Sequence, residues 1–392
     1  MNKDPIIDKR FAWAEINLSH LCHNLKIIQS FANSKNTKVM AAVKADAYGH
    51  GAVEVSRQAI KCGVYALGVA IAEEGIELRT SGITAPIYIL GESPPEAVEE
   101  AIKYDLILNI NSYKAAQFVS EECVRIGKKV IVSINIDTGM NRIGINFNDA
   151  VSEILRISSL PNLKLEAVST HFSCAGGKDD YYTEQQWKRF NEIIGKVKDK
   201  KIAVKIFHCA NSAVFFRHRN MHLDMVRTGI SIYGLNPYDE DYTEWLDPGV
   251  SSAVSGLKPV FSLKTRITFI KEVPSGEMIS YCGTFKTKRN SIIATVPVGY
   301  ADGYPRSLAN KAAVLIKGKS APVVGNITMD QFMIDITDIA KESHINAGDE
   351  VILIGDSGDK KITADDIARL MNTINYEVVC MFKKRIPRVY IR

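Results

Sequence analysis

The sequence predicts an α/β protein, with an N-terminal (β/α)8 TIM-like barrel and a second, mostly β C-terminal domain. Three observations predict it. Eight apolar, β-rich runs alternate with amphipathic stretches over roughly the first 240 residues, and such alternation implies a parallel sheet that eight strands can close. No GxGxxG follows the first run, which weakens the alternative of a doubly wound open sheet. After about Pro248 the helical periodicity fades and short β-type runs recur between turn residues. The expected domains are 14–246 for the barrel, and 1–13 with 247–392 for the mostly β domain.

Taken in order, a helix over 19–32 precedes the first strand. Strands follow at 39–44, 65–70, 86–90, 106–110, 130–136, 165–171, 204–208 and 225–233. The amphipathic stretches between them are 53–62, 73–81, 95–104, 112–126, 149–157, 183–197 and 212–217, each with apolar residues at helical spacing. In the second domain, β-type runs lie at 260–273, 292–298, 312–316, 321–324, 333–336 and 351–354. One short helix is expected over 362–373, with Thr363 as its N-cap. No internal repeat or low-complexity segment interrupts the pattern.

Composition narrows the function. The 49 basic and 44 acidic residues are interspersed, so the net charge of +5 leaves no nucleic-acid footprint. The seven cysteines are scattered, form no CxxC pair and are odd in number. That pattern points to reduced thiols in a cytoplasmic protein, with neither a disulfide framework nor a metal site. The first ten residues are polar, and no run has the length and apolarity of a membrane span.

Lys44 follows the apolar run 39–43 and opens the sequence Ala45-Asp46-Ala47-Tyr48-Gly49-His50-Gly51. A cationic lysine is costly to bury there. Covalent attachment of pyridoxal phosphate is the obvious use, and a strand-end lysine snorkelling to solvent is the plain alternative. Barrel active sites lie at the C-terminal strand ends. That rule selects Lys44 and Tyr48, then Arg142 after the fifth strand and His171 after the sixth. It also selects Asn211 and Ser212 after the seventh strand, and Arg227, Gly229 and Ile230 in the eighth. Loops after strands seven and eight often bind phosphate, Ser212 opens a helix, and Gly229 lets backbone approach an anion closely. Each residue also has a plain reading: His171 as a core histidine, Ser212 as an N-cap, Tyr48 as a packing aromatic, Arg142 as a loop bridge. Five strand ends carrying compatible groups favour the joint reading.

At these residues the chain resembles the alanine racemase family, pyridoxal-phosphate enzymes of the fold III class. The segment 43–51 carries the likeness. So do 137–140 with Arg142, 211–212, 226–230 with 233–234, 280–281, 297–306, 329–331 and 374–377. The resemblance implies two-base interconversion of L- and D-alanine in a cytoplasmic homodimer with shared active sites, supplying D-alanine for peptidoglycan. It implies that Lys44 holds the cofactor and acts as one base, and that Tyr281 from the partner subunit is the other. Arg227 would face the pyridine nitrogen, with His171 supporting it. Because guanidinium keeps its proton, the ring would stay a moderate electron sink and side reactions would be limited. Arg142 would contact the cofactor's phenolic oxygen and the substrate carboxylate. Tyr48, Ser212, Gly229, Ile230 and Tyr376 would bind the cofactor's phosphate, and Asn211 would also be a cofactor-binding residue. Met329 from the partner would contact the substrate carboxylate, and Tyr300, Arg306 and Ile374 would shape the entrance.

Two departures stand out. Many relatives carry a carbamate-modified lysine seven positions before Arg142, where this chain has Asn135. The expectation is that Asn135, alone or with a bound anion, orients Arg142. Asn326 and Thr328 stand where relatives often have arginine and cysteine, which bears on substrate breadth. The alternatives are a serine or broader-specificity racemase, a fold III decarboxylase, and a non-catalytic pyridoxal-phosphate-binding protein. No cysteine-aspartate substrate motif of the decarboxylases is present, and the binding proteins lack a second domain.

Overall fold

The computed structural model describes 11–32, 36–238 and 246–392; the expectation that 1–10 join the β domain lies outside the described residues. Contacts divide the chain into two units. One holds His20–Ala47 and Gly51–Lys258; the other holds 11–19, Tyr48–His50 and Pro259–Arg392.

These bounds differ from the expected 14–246 for two reasons. The strand Ala12–Asn17 pairs antiparallel with Phe261–Arg266 and parallel with Arg388–Ile391, so it belongs to the C-terminal sheet. At the other end, buried Asn24 in the helix Leu18–Phe31 donates to the Lys258 carbonyl (2.8 Å) and accepts from the Lys258 amide (2.8 Å). That amide pairs with backbone groups in both directions and ties the segment up to 258 to the barrel unit.

In the barrel unit the parallel strands are Lys38–Ala42, Ala66–Val69, Ile87–Ile89, Leu108–Ile110, Val130–Asp137, Leu163–Ser169, Ile206–His208 and Met225–Thr228. The seam between the third and fourth carries the parallel bridge Tyr88–Ile107. The seam between the seventh and eighth carries bonds from the Asp224 amide to Phe207 O (3.2 Å) and from the Arg227 amide to Ala210 O (2.8 Å). With Met225–Thr228 paired to Lys38–Ala42, the cylinder closes. Strands buried on both faces require the near-continuous apolar runs seen in the sequence. Met40, Ala66, Tyr88, Ile107, Ala167, Ile206 and Met225 form one core cluster. Helix ends are set locally, as in Tyr113–Ile126, where the Ser112 side chain accepts from Ala115 N and Gly127 closes the helix at φ 71°.

The second unit is built on a ten-stranded sheet. Its path runs Phe269–Val273, Ser291–Val296, Phe332–Asp335, Lys319–Val324, Ala313–Ile316, Glu350–Ser357, Phe261–Arg266, Ala12–Asn17, Arg388–Ile391, with Lys360–Ile362 beside Glu350–Ser357. Phe261–Arg266 alternates buried and half-buried residues, the pattern of a strand with one face on a core. The expected helix is Ala364–Met371, and Thr363 caps it reciprocally with Asp366.

The cysteines depart from expectation. Cys22 and Cys62 are joined as a disulfide with Cα atoms 5.8 Å apart, while Cys123, Cys174, Cys209, Cys282 and Cys380 are free. Their separation of 40 residues hid the pairing, because the helix Leu18–Phe31 and the end of Ala52–Lys61 are brought together only by the barrel. Among the described residues no helix is long and apolar enough to cross a membrane.

Candidate active site

Lys44 does not end the strand, which stops at Ala42; it is the first residue of a short helical turn, Lys44–Gly49. That turn is left-handed. Ala45, Asp46, Ala47 and Tyr48 have φ between 53° and 55°, and Gly49 has 80°. Left-handed helix costs L-residues roughly 1–2 kcal/mol each, so several bonds must hold it. The Ala47 amide donates to Val43 O (2.9 Å) and the Gly51 amide to Asp46 O (2.9 Å). Asp46 Oδ1 accepts from Ala52 N (2.7 Å). Glu74 bridges the Ala45 amide (2.6 Å) and the Ala70 amide (2.7 Å) with its two carboxylate oxygens. Half-buried Lys44 is thereby delivered at the C-terminal end of the first barrel strand on a strained, multiply fixed turn.

On the neighbouring strand lies Arg227, buried within Met225–Thr228, which pairs with Lys38–Ala42. Its Nη1 lies 2.7 Å from His208 Nδ1 and donates to His208 O (3.1 Å). Its Nη2 donates to Thr170 O (2.7 Å) and Cys209 O (3.2 Å) and lies 3.1 Å from His171 Nδ1. Among the described residues Nε meets no acceptor. The guanidinium thus keeps one N–H for another group. Burial, with Arg142 adding repulsion, pushes its pKa down to about 10, although Cys209 opposes the shift. Burial, then Arg227, holds both His171 and His208 well below the usual histidine value. Neutral imidazoles accept from Arg227 through Nδ1.

His208 is the residue that sequence reasoning missed. The expectation gave Arg227 only His171, yet His208 stands nearer. The signal was present: His208 ends the seventh strand and Arg227 lies on the eighth, so the two are barrel neighbours.

The loops after the last two strands form a polar cradle. The Ser212 hydroxyl accepts from the Gly229 amide (2.9 Å). Asn211 Oδ1 accepts from Ala213 N (3.1 Å) and Val214 N (3.0 Å), which makes it the N-cap of Ser212–Arg217. Ile230 begins a 3-10 turn, Ile230–Tyr233. The hydroxyls of Thr228 and Ser231 are buried and find no hydrogen-bond partner among the described residues. Unpaired buried donors ask for an acceptor, and an anion with several oxygens supplies it.

Arg142 is exposed and makes no hydrogen bond or ion pair among the described residues. Asn135 makes no hydrogen bond to it. The Asn135 amide donates instead to Ile143 O (3.0 Å) and lies 3.3 Å from Asn111 Oδ1. It therefore fixes the backbone beside Arg142 and does not bond the guanidinium directly. A small cleft lined by Asn135, Asp137, Met140, Arg142 and His171 lies there.

In the second unit, Tyr48 and Tyr376 bring their rings to 6.2 Å. Burial raises the pKa of both phenols, so they are proton donors at neutral pH. Gly49 makes this possible. A Cβ there would lie 2.2 Å from Val379 O, in the helix Asn375–Cys380 that carries Tyr376. Tyr281 and Met329 are 73% and 53% exposed. Gly299 lets the segment before Tyr300 press on the Met329 loop, where a Cβ would meet Met329 O at 2.3 Å. The Tyr300 and Ala301 amides donate to Thr328 O (3.1 Å) and Met329 O (3.0 Å). The side chains of Tyr300, Arg306 and Ile374 are exposed.

Comparison with known proteins gives a consistent result. The model of the alanine racemase N-terminal domain matches 16–237, and that of the C-terminal domain matches 260–390. The chain is 44% identical over 381 residues to the alanine racemase of Halothermothrix orenii, covering 97% of each. It is 44% identical over 384 residues to that of Clostridium novyi, covering 98% of this chain and 96% of the relative. Among solved structures, an alanine racemase of Clostridium difficile 630 superposes with a TM-score of 0.89 at 41% identity, covering 97% and 96%. One from Bacillus anthracis with bound L-Ala-P gives 0.88 at 36%, covering 98% and 95%.

Proposed function

We propose that this chain, which belongs to the alanine racemase family and interconverts L- and D-alanine, does so with Lys44 and Tyr281 as bases on opposite faces of the substrate's α-carbon. The observation that carries the reading is Arg227, a buried guanidinium whose terminal nitrogens are held by three carbonyls and two imidazoles while Nε–H is left over. That leftover donor suits an aromatic nitrogen that must be hydrogen-bonded but not protonated.

The donor set fits pyridoxal phosphate. Lys44 would hold its aldehyde end, Arg227 its ring nitrogen, and Ser212, Gly229, Ile230, Tyr48 and Tyr376 its phosphate. The unpaired Thr228 and Ser231 hydroxyls lie beside the same loops and favour an anion there. Asn211 would support this end as a cap. When bound, the cofactor draws electron density away from the α-carbon and acidifies its proton.

The chain's own residues do the rest. In one direction Lys44 takes the α-proton from its face and the Tyr281 phenol delivers one to the other; in the reverse direction the Tyr281 phenolate takes the proton and the Lys44 ammonium delivers it. Arg227 keeps its proton throughout and so limits electron withdrawal. His171 and His208 stay neutral and hold Arg227 in place. Arg142 and Met329 engage the substrate carboxylate, and Tyr300, Arg306 and Ile374 narrow the approach. Exposed Tyr281 and Met329 suit side chains that reach into the site of a second copy, so the working form is a homodimer with shared sites. We place it in the cytoplasm, supplying D-alanine for peptidoglycan.

The test is solvent-deuterium incorporation by the purified protein, with L-alanine and D-alanine each supplied separately and serine run beside them. Inversion with α-deuteration of both alanine enantiomers is the expected result. No exchange with either would sink the proposal, and equal turnover of serine would widen the substrate class.

A further inference from the structure

Tyr281 sits between two residues in unfavourable backbone conformations. Ser280 has φ 65° and ψ −174°, a region that suits glycine, and Cys282 has φ 61° and ψ 9°. Such a loop persists only where its surroundings hold it. Two reciprocal bonds do so. Ser280 Oγ donates to Asn326 O (2.7 Å), and Asn326 Nδ2 donates to the carbonyl of Tyr281 itself (2.8 Å). Asn326 is buried, at 6% exposure, whereas the Tyr281 side chain is exposed. Next to it, a Cβ on Gly325 would lie 2.5 Å from Ile279 O and 2.9 Å from Ser280 Cβ. Asn310 adds a second staple: its Oδ1 accepts from Gly325 N (2.7 Å) and its Nδ2 donates to Thr284 Oγ1 (3.1 Å). The loop bearing Tyr281 and the loop bearing Met329 are thus one bonded object.

We propose that Asn326 is a positioning residue for Tyr281, fixing through the Tyr281 carbonyl and Ser280 where the phenol stands relative to the α-carbon. The inference rests on the reading of Tyr281 as one of the two bases. Asn326 touches neither substrate nor cofactor in this scheme. It holds the backbone from which the phenol projects, and it gives that backbone the same anchor as Met329. Loss of the Nδ2–H donor leaves the Tyr281 carbonyl unheld and lets the strained residues relax, so proton delivery suffers on the tyrosine face alone.

The test uses Asn326→Asp, nearly isosteric but without the donor, and Ser280→Ala, which removes the other bond. The holoenzyme is given L-alanine and D-alanine separately in deuterium oxide, and inversion and α-deuteration are followed together. Inversion should fall about 10- to 100-fold in Asn326→Asp, mostly in kcat. The enantiomer whose proton Lys44 takes should still exchange with retained configuration, within about threefold of the parent rate. In the cofactor-free protein, amides of 280–284 should exchange faster in both variants while the strand Ala313–Ile316 keeps its protection. Parallel loss of exchange from both enantiomers, inversion within about twofold of the parent, or unchanged amide exchange in 280–284 would each overturn the proposal. Full inversion by Tyr281→Phe would instead defeat the base assignment, and amide exchange would still decide whether Asn326 holds the loop.

Discussion

Arg227 Nη1 lies 2.7 Å from His208 Nδ1 with both side chains buried, so the imidazole must be neutral and its proton must sit on Nε2. Burial and the guanidinium lower the histidine's pKa well below 6.5. The unfolded chain therefore takes up a proton below pH 6.5 that the folded chain refuses. Stability should fall as pH drops through that value and go on falling toward the folded-state pKa, by about 1.4 kcal/mol per pH unit for this histidine. His208→Gln should flatten the acid limb by that slope. Denaturant titrations from pH 7 to 5 check it, and an unchanged limb would contradict the assignment.

Tyr281→Phe should keep the fold and the cofactor spectrum yet lose roughly 100- to 10,000-fold of turnover, because the hydroxyl that carries the proton is gone. Absorbance and racemisation measured on one preparation separate this from a non-catalytic binding protein, which would bind cofactor and racemise in neither form.

Gly49→Ala should destabilise the protein by about 2–4 kcal/mol, from the left-handed φ together with overpacking against Val379 O. Thermal unfolding of the cofactor-free protein reads this directly. The same change should weaken cofactor retention, since it pushes the Tyr376 helix from Tyr48.

Denatured under non-reducing conditions, the chain should show five titratable thiols, the disulfide holding Cys22 and Cys62. Seven thiols would refute the bridge. Cys62→Ser should cost about 2–4 kcal/mol, less where the unfolded chain keeps residual structure.

Much of the site was legible because barrel chemistry gathers at strand ends, and Lys44, His171 and Arg227 could be placed there by counting strands. Three features were not. The hand of the Lys44–Gly49 turn is invisible to periodicity, since Ala45, Asp46 and Ala47 are ordinary residues forced to positive φ by bonds to Val43, Glu74 and Ala52. Asn135 was expected to face Arg142, but the loop turns its amide to the Ile143 carbonyl, a choice of backbone path that residue type does not encode. The strand Ala12–Asn17 was divided between domains because its partners lie some 250 and 370 positions further on.

That first strand also constrains how the protein is made. It lies in the sheet between Phe261–Arg266 and Arg388–Ile391, both far from it in sequence. During synthesis Ala12–Asn17 emerges well before either partner, and its Arg388–Ile391 edge stays bare after Phe261–Arg266 has been made. The barrel strands, by contrast, pair mostly with near neighbours in sequence and can assemble in the order they appear. The nascent chain thus carries an apolar strand without a sheet until Phe261–Arg266 is made, and that part of the sheet is complete only once Arg388–Ile391 has joined it.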